Sequence, residues 1–315
     1  MILVTGVAGF IGSTLAERLV SDGYEVVGID NFSDYYDRQI KQSNLTTLLE
    51  SRAFTLVEAD LNTVNLDTIL SKVEIVFHEA GQPGVRKSWG SDFTEYVHAN
   101  VSATQRLLEA AKKSAKRLTR FVYASSSSVY GNAERYPTDE LDRPQPRSPY
   151  GVTKLAAEHL TTLYAENYGL PTVSLRYFTV YGPRQRPDMA FNRFISLAKQ
   201  GQPLPVYGDG SQIREFTYVD DIVEANVRAA FATIPPGSVI NLSGGSATSL
   251  NDVIDLLQRI HGRRLEIHRS EPAVGDVFRT GGSTEMAKQL LGWAPAVAIE
   301  DGLASEYKWL MALHV

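Results

Sequence analysis

The 315-residue chain has no cysteine, which excludes disulfides, thiolate nucleophiles and cysteine-held metal. No stretch approaches the ~18 consecutive apolar residues of a membrane span, so no membrane association is expected. Positive charge is not in excess either. At a formal charge of −5, broad attraction to nucleic acid is not expected. Met1 leads directly into Ile2-Leu3-Val4-Thr5, leaving no room for a signal peptide, and the expected location is cytoplasmic. The six histidines (78, 98, 159, 261, 268 and 314) show no metal-ligand spacing, and His78-Glu79 lacks the second histidine of a zinc helix. No metal is expected. Tandem repeats and low-complexity tails are missing as well.

What is present is an ordinary globular balance, 43% hydrophobic and 21% charged, in a chain long enough for a large core. Strand-like runs at Ile2–Thr5, Glu25–Asp30, Phe54–Glu58, Ile75–His78, Arg120–Ala124 and Thr172–Tyr177 alternate with helical patterns. Those helices are expected near Ile11–Ser21, Asp37–Glu50, Asp92–Ala115 and Tyr150–Tyr168. Such alternation predicts an α/β fold, a doubly wound parallel sheet of Rossmann type with helices on both faces. A smaller α/β substrate-binding region should follow. Residues 1–180 are assigned to a dinucleotide-binding domain and 181–315 mainly to the substrate, with a return to the sheet at about 216–241. The basic residues Lys112, Lys113, Lys116, Arg117 and Arg120 read as a solvated helix end, favoured by the helix dipole.

Ligands of such sheets lie beyond the carboxyl ends of the strands. The first strand runs into Gly6-x-x-Gly9-x-x-Gly12 and a helix beginning near Phe10 and Ile11. Glycine permits the tight turn and lets backbone N–H groups approach a pyrophosphate at the positive helix end. A lone glycine motif is weak, since any tight strand–helix turn produces it. Here the second strand also ends in Asp30, 18 residues past Gly12, where a carboxylate can accept both hydroxyls of an adenine ribose and repel a 2′-phosphate. The expected cofactor is NAD rather than NADP.

Tyr150 and Lys154 form a Tyr-x-x-x-Lys pair downstream of the serine run Ser125–Ser128. Four apart on a helix, they share one face. A free phenol, with a pKa near ~10, is a poor base at neutral pH. A neighbouring ammonium and a cationic nicotinamide would both lower it. The bland alternative is an ordinary helix surface, because the spacing is common. Its place just after Ser148-Pro149 and behind the serine strand end argues for chemistry.

Together the glycine spacing, Asp30 and the Tyr-Lys pair resemble the extended short-chain dehydrogenase/reductase family over nearly the whole chain. The resemblance implies a catalytic set of Tyr150, Lys154 and Ser126, with Ser126 bonded to the reacting oxygen. It places Asn31, Asp60, Leu61, Ala80, Gly81 and Tyr177 around the dinucleotide; Asp60 could equally be a helix cap, and Tyr177 a core residue. Asn100 matches the family's buried asparagine beside the cofactor, read chiefly as structural. Dehydratases of the family carry an Asp-Glu pair in the serine segment, and decarboxylases a Glu before Val-Tyr-Gly. This chain has Ser125-Ser126-Ser127-Ser128-Val129-Tyr130-Gly131, with no carboxylate, which favours epimerisation.

Thr179–Phe191, with Arg-Pro-Asp-Met-Ala, resembles the UDP-glucuronate 4-epimerase branch, as do Asp34–Asp37 and Gly84–Trp89, which contains Arg86. UDP-glucose 4-epimerase and UDP-glucuronate decarboxylase remain the alternatives. Ser127, Ser128 and Thr179 offer neutral donors to a sugar carboxylate, with Arg186 near at hand; the bland reading is that these hydroxyls merely finish a strand and turn. Arg214 is the candidate diphosphate contact. Val206 and Tyr207 are expected to wall the uracil. Val274 stands where members carry an arginine before Gly-Asp, and Arg279 is the candidate to replace it. The expected partners are a UDP-sugar and a second copy of the chain, as a homodimer through apolar faces of Asp92–Ala115 and Tyr150–Tyr168.

Overall fold

A computed structural model describes residues 1–271 and 277–313. The six strand-like runs fold as β1 (Ile2–Thr5), β2 (Val26–Asp30), β3 (Phe54–Glu58), β4 (Ile75–His78), β5 (Arg120–Ser126) and β6 (Thr172–Tyr177). With Ser238–Leu242 they make one seven-stranded parallel sheet, ordered Ser238–Leu242, β6, β5, β4, β1, β2, β3. This is the doubly wound sheet expected from the sequence. Its order reverses between β1 and β4, where the carboxyl ends open a crevice.

Strand periodicity divides the core. Val4, Phe77 and Val122 belong to one apolar cluster, while their neighbours Leu3, Val76 and Phe121 belong to another on the opposite face. Beyond β6 the described residues form three two-stranded pieces, two of them completed by segments that follow the edge strand. Val180–Tyr181 pairs with Thr217–Tyr218, Leu204–Tyr207 with Ile267–Ser270, and Ile213–Glu215 with Ala247–Ser249. The helix Val219–Phe231 then packs back on β5 and on α1 (Phe10–Ser21).

Local chemistry explains where the helices begin and end. Ser148 opens the Pro149–Tyr168 helix by accepting from the Gly151 N–H at 3.1 Å, and Pro149 takes the first position, where no N–H is needed. Gly169 closes it at φ +67°, a left-handed cap that suits glycine. The expected Asp37–Glu50 helix is instead two short ones, Arg38–Ser43 and Thr46–Leu49. Buried Asn44 sits at the break and donates to the Ala8 carbonyl at 3.1 Å. The expected Asp92–Ala115 helix is interrupted by a π-helical stretch, Val97–Ser102, and ends at Lys113. Leu66–Leu70, with Asn65 as its cap, is a helix that the sequence pattern did not predict. Arg120 is not solvated: it is buried at the start of β5 and donates to the Ala232 carbonyl at 2.7 Å.

Behind the carboxyl ends of β5 and β6 lies a buried ion pair. Arg176 grips Glu158 with Nη2 at 2.7 Å from Oε1 and Nε at 2.9 Å from Oε2, and Ser125 donates to the same carboxylate at 2.6 Å. The side chains are only 4% and 2% exposed, so neither charge can turn to water instead. Removing one partner strands the other. Glu158→Ala is therefore expected to cost about 3–5 kcal/mol of stability in urea unfolding; a loss within about 0.5 kcal/mol, as for surface changes, would show that the pair is not the anchor described.

Candidate active site

One cleft of about 890 Å³ runs along the carboxyl ends of the strands, within the range of small-molecule sites. At one end lies the glycine turn. Gly6 has φ +65°, and a Cβ on Gly12 would collide with the Gly6 carbonyl oxygen. Gly9 precedes α1, whose first turn has no side-chain cap, and Phe10 and Ile11 line the same surface. Asp30 ends β2 with each oxygen anchored, Oδ2 accepting from Ala8 N at 3.0 Å and Oδ1 from Phe32 N at 2.8 Å. Fixed in this way, each oxygen keeps a further lone pair for a ligand hydroxyl. Asn31, Asp60 and Leu61 line this end as well. Asp60 does not cap the next helix: Oδ1 accepts from Asn62 N at 2.7 Å, and Asn65 caps Leu66–Leu70. Uncapped N–H groups, a glycine cradle and an anchored carboxylate fit a dinucleotide.

The middle of the cleft is crossed by β4, β5 and the Pro149–Tyr168 helix, which deliver Ala80, Gly81, Ser126, Tyr150 and Lys154 to it. Tyr150 and Ser126 line the same part of the cleft. Burial pushes the phenol above its ordinary value, while the Ser126 hydroxyl and the Arg186 charge pull it part of the way back. Lys154, expected to supply that pull, is turned elsewhere. Its ammonium donates to the Ala124 carbonyl at 2.6 Å and lies 5.0 Å over the Tyr123 ring. Burial lowers it to about 8, against the fields of Glu79 and Glu158. Arg186, which lines the same cleft, contributes a charge that lowers the phenol pKa.

Ser127 and Ser128 line the cleft from the short turn Ser127–Val129, which Ser126 caps by accepting from Ser128 N at 3.1 Å. Thr179 and Arg186 line the facing wall. Arg186 is paired with Asp188, Nε to Oδ1 at 3.0 Å and Nη2 to Oδ2 at 3.2 Å. Farther out, Arg86 stacks on the Tyr207 ring with its guanidinium carbon 4.3 Å from the centroid. Arg214 lines the cleft while donating to the carbonyls of Ile213, Val277 and Phe278.

Three expected site residues do not line the cleft. Val206 is fully buried, because in Leu204–Tyr207 alternate residues point inward; Pro205 and Tyr207 are the cleft-facing pair. Asn100 is buried one layer behind, bonding Gln82 through both backbone groups and Thr153 at 3.0 Å. It supports the Gly81 turn: a Cβ there would sit 2.8 Å from the Asn100 Oδ1. Arg279 bridges Ile213 and lies 4.9 Å over the Tyr136 ring beside a separate small cavity. Val274 lies outside the described residues. Conversely, the cleft includes Glu79, Lys41, Tyr35 and Arg193, none of which was assigned. Glu79 was legible as a charge directly after an apolar strand, but had been weighed only as half of a zinc motif.

The fold and site are those of a dinucleotide-dependent enzyme working on a polar substrate. A family model described as the NAD dependent epimerase/dehydratase family matches residues 2–243, and the chain belongs to that family. It is 39% identical to a UDP-glucuronate 4-epimerase of Thermodesulfobacterium geofontis, over 98% of this chain and 95% of that protein. It is 42% identical to an uncharacterized UDP-glucose epimerase, YtcB, of Bacillus subtilis, over 99% and 98%. Its structure superposes with a TM-score of 0.96 on a UDP-glucuronic acid 4-epimerase from Bacillus cereus in complex with UDP-glucuronic acid and NAD, at 42% identity and 99% coverage of each chain. NAD is thus the dinucleotide that this cleft takes. Gly12→Ala should weaken NAD binding by about tenfold or more while leaving a folded protein, measured by calorimetric titration; unchanged affinity would remove the glycine turn from the cofactor site.

Proposed function

We propose that this protein interconverts UDP-glucuronate and UDP-galacturonate by reversible 4-epimerisation through a 4-keto sugar. The observation that carries the proposal is that Tyr150 and Ser126 meet in the cleft beside a turn that presents hydroxyls and no carboxylate. Bound NAD supplies the hydride acceptor at C4′ and returns the hydride to the opposite face. Tyr150 takes the proton of the 4′-hydroxyl and later restores it, and Ser126 fixes the oxygen that loses it. Lys154 holds the nicotinamide ribose, and Tyr177, Ala80 and Gly81 flank that half of the cofactor. Gly6, Gly9, Phe10, Ile11 and Gly12 hold the pyrophosphate; Asp30 and Asn31 take the ribose, and Asp60 and Leu61 the adenine.

Oxidation at C4′ of a uronate makes a β-keto acid, which loses CO₂ when its carboxylate C–C bond aligns with the carbonyl π system. Ser127, Ser128 and Thr179 are short hydroxyl donors able to hold the carboxylate away from that alignment. Arg186, balanced by Asp188, adds a field rather than a naked charge. Arg86 and Arg214 lie toward the diphosphate, with Tyr207 against the base. The homodimer and the cytoplasmic location belong to the same reading. Exposed Val152, Leu163 and Tyr168 on one helix, with Phe93 beside the other, support such a pairing face.

Proton NMR of the protein with UDP-glucuronate should show UDP-galacturonate accumulating. A UDP-pentose with CO₂ would mean a decarboxylase, and inertness beside UDP-glucose turnover the neutral-sugar enzyme. Tyr150→Phe should lower kcat by about a hundredfold to ten-thousandfold. Thr179→Ala should leak pentose product if it helps hold the carboxylate. Arg186 lowers the phenol pKa, so Arg186→Ala raises it and should move the acid limb of the kcat–pH profile to higher pH. An unmoved limb would take Arg186 out of the phenol's environment.

A further inference from the structure

Glu79, the first residue beyond β4, is a carboxylate in the active-site cleft to which the steps above give no task. It is enclosed by protein except where it borders the cleft. Tyr177, at the end of β6, donates its hydroxyl to Glu79 Oε1 at 2.9 Å. That hydroxyl in turn accepts from Asn226 Nδ2 at 2.8 Å, on the Val219–Phe231 helix. Because β5 lies between β4 and β6, the Glu79–Tyr177 bond spans the carboxyl end of β5, where Lys154 is anchored on Ala124. The floor of the reactive half of the cleft therefore carries a fixed acid beside a fixed base.

The groups around Glu79 come from four elements. Among the described residues, Lys154 from the Pro149–Tyr168 helix is the cation acting on it, and Tyr177 from β6 is its hydrogen-bond donor. Tyr123 from β5 feels its charge, and Asn226 reaches it through Tyr177. His78, its chain neighbour, is held by Thr5 and Thr104 and kept neutral by burial. Glu158, the other acid acting on Lys154, is already matched by Arg176. Burial pushes Glu79 up to about 7, while the Tyr177 bond and Lys154 oppose that rise.

A hydride acceptor presented to Tyr150 must lie over this floor, since Ser126, Tyr150 and Lys154 border the same part of the cleft. The oxidised nicotinamide ring is cationic and the reduced ring is neutral. A carboxylate beneath it therefore stabilises one form and not the other, and in a site shielded from water the difference is large. We propose that Glu79 is a positioning residue whose carboxylate, held by Tyr177 and Asn226, favours the oxidised over the reduced nicotinamide in this cleft. The proposal rests on NAD lying in the cleft as in the proposed function, but not on any particular sugar. In a cycle that returns its hydride to the sugar, such a bias keeps the resting cofactor ready to accept.

The test is partition of the cofactor. Purified holoprotein is equilibrated with an excess of mixed NAD⁺ and NADH and then desalted. The bound ratio is read from the near-ultraviolet absorbance of the dihydronicotinamide and from total nucleotide. Above neutrality, Glu79→Gln should move the bound ratio toward NADH by about tenfold. Below neutrality the wild-type carboxyl is itself protonated, so the two proteins should converge. Tyr177→Phe removes a bond that favours the ionised form, and should shift the ratio the same way by less, with its convergence on Glu79→Gln moved to higher pH. Equal ratios in wild type and both variants, or a shift of equal size on both sides of neutrality, would overturn the proposal. So would loss of all cofactor in both variants, which would make Glu79 purely structural. No sugar enters the experiment, so failure of the epimerase assay and failure of this inference are distinguishable.

Discussion

A buried ammonium is the constraint around which this active site is arranged. Lys154 is 6% exposed on the most enclosed face of its helix, and an isolated cation there would be strongly disfavoured. The protein answers with several modest contacts: the Ala124 carbonyl, the Tyr123 ring face, and the fields of Glu79 and Glu158. Glu158 cannot serve alone, because Arg176 and Ser125 already occupy its oxygens. Each of these partners comes from the end of a neighbouring strand or from the same helix. The parallel sheet thus does more than carry loops; the spacing of its strand ends sets where the compensating charges stand.

The same geometry separates two tasks that the Tyr-Lys spacing places on one helix face. One helix face delivers both side chains to the cleft, yet the lysine turns down toward β5 while the tyrosine turns toward Ser126 and the field of Arg186. Arg186 comes from the excursion beyond β6, so the phenol's environment depends on how that smaller region meets the sheet. Asp188 tempers the guanidinium and thereby limits how far the phenol is pulled down.

Much of this was legible in the sequence, for definite reasons. The strands were read from apolar runs bounded by turn residues, and their parallel arrangement follows from alternation with helices. Gly6, Gly9, Gly12 and Asp30, which line the cleft, stood out because a dinucleotide turn imposes backbone demands that few residues meet. What was not legible depends on tertiary direction. The break at Asn44 arises because its amide reaches the Ala8 carbonyl, 36 residues away in the chain. Val206 was expected beside Tyr207 on the cleft wall, but adjacency in sequence does not reveal which face of a short strand looks into the cleft, and Pro205 lines it instead. Arg279 was proposed as a replacement for an arginine elsewhere, but its backbone pairs with Ile213 and places its side chain over Tyr136. That the Arg186 charge lowers the phenol pKa could not be deduced either, since Arg186 is 36 residues beyond Tyr150 and reaches it only through the fold.

On the proposed reading, Ser126 joins the two halves of the chemistry. Its hydroxyl lowers the pKa of the phenol that takes the proton, and it also caps the turn that presents Ser127 and Ser128. A displacement of this one side chain would therefore shift both the proton acceptor and the donors that orient the sugar carboxylate. That coupling has a chemical use. The β-keto acid is in danger only while C4′ is oxidised, which is also when Tyr150 holds the proton. Donors tied to the same serine keep their geometry through that interval, and hydroxyls on a tight turn have little freedom to follow a carboxylate toward the aligned, CO₂-releasing arrangement.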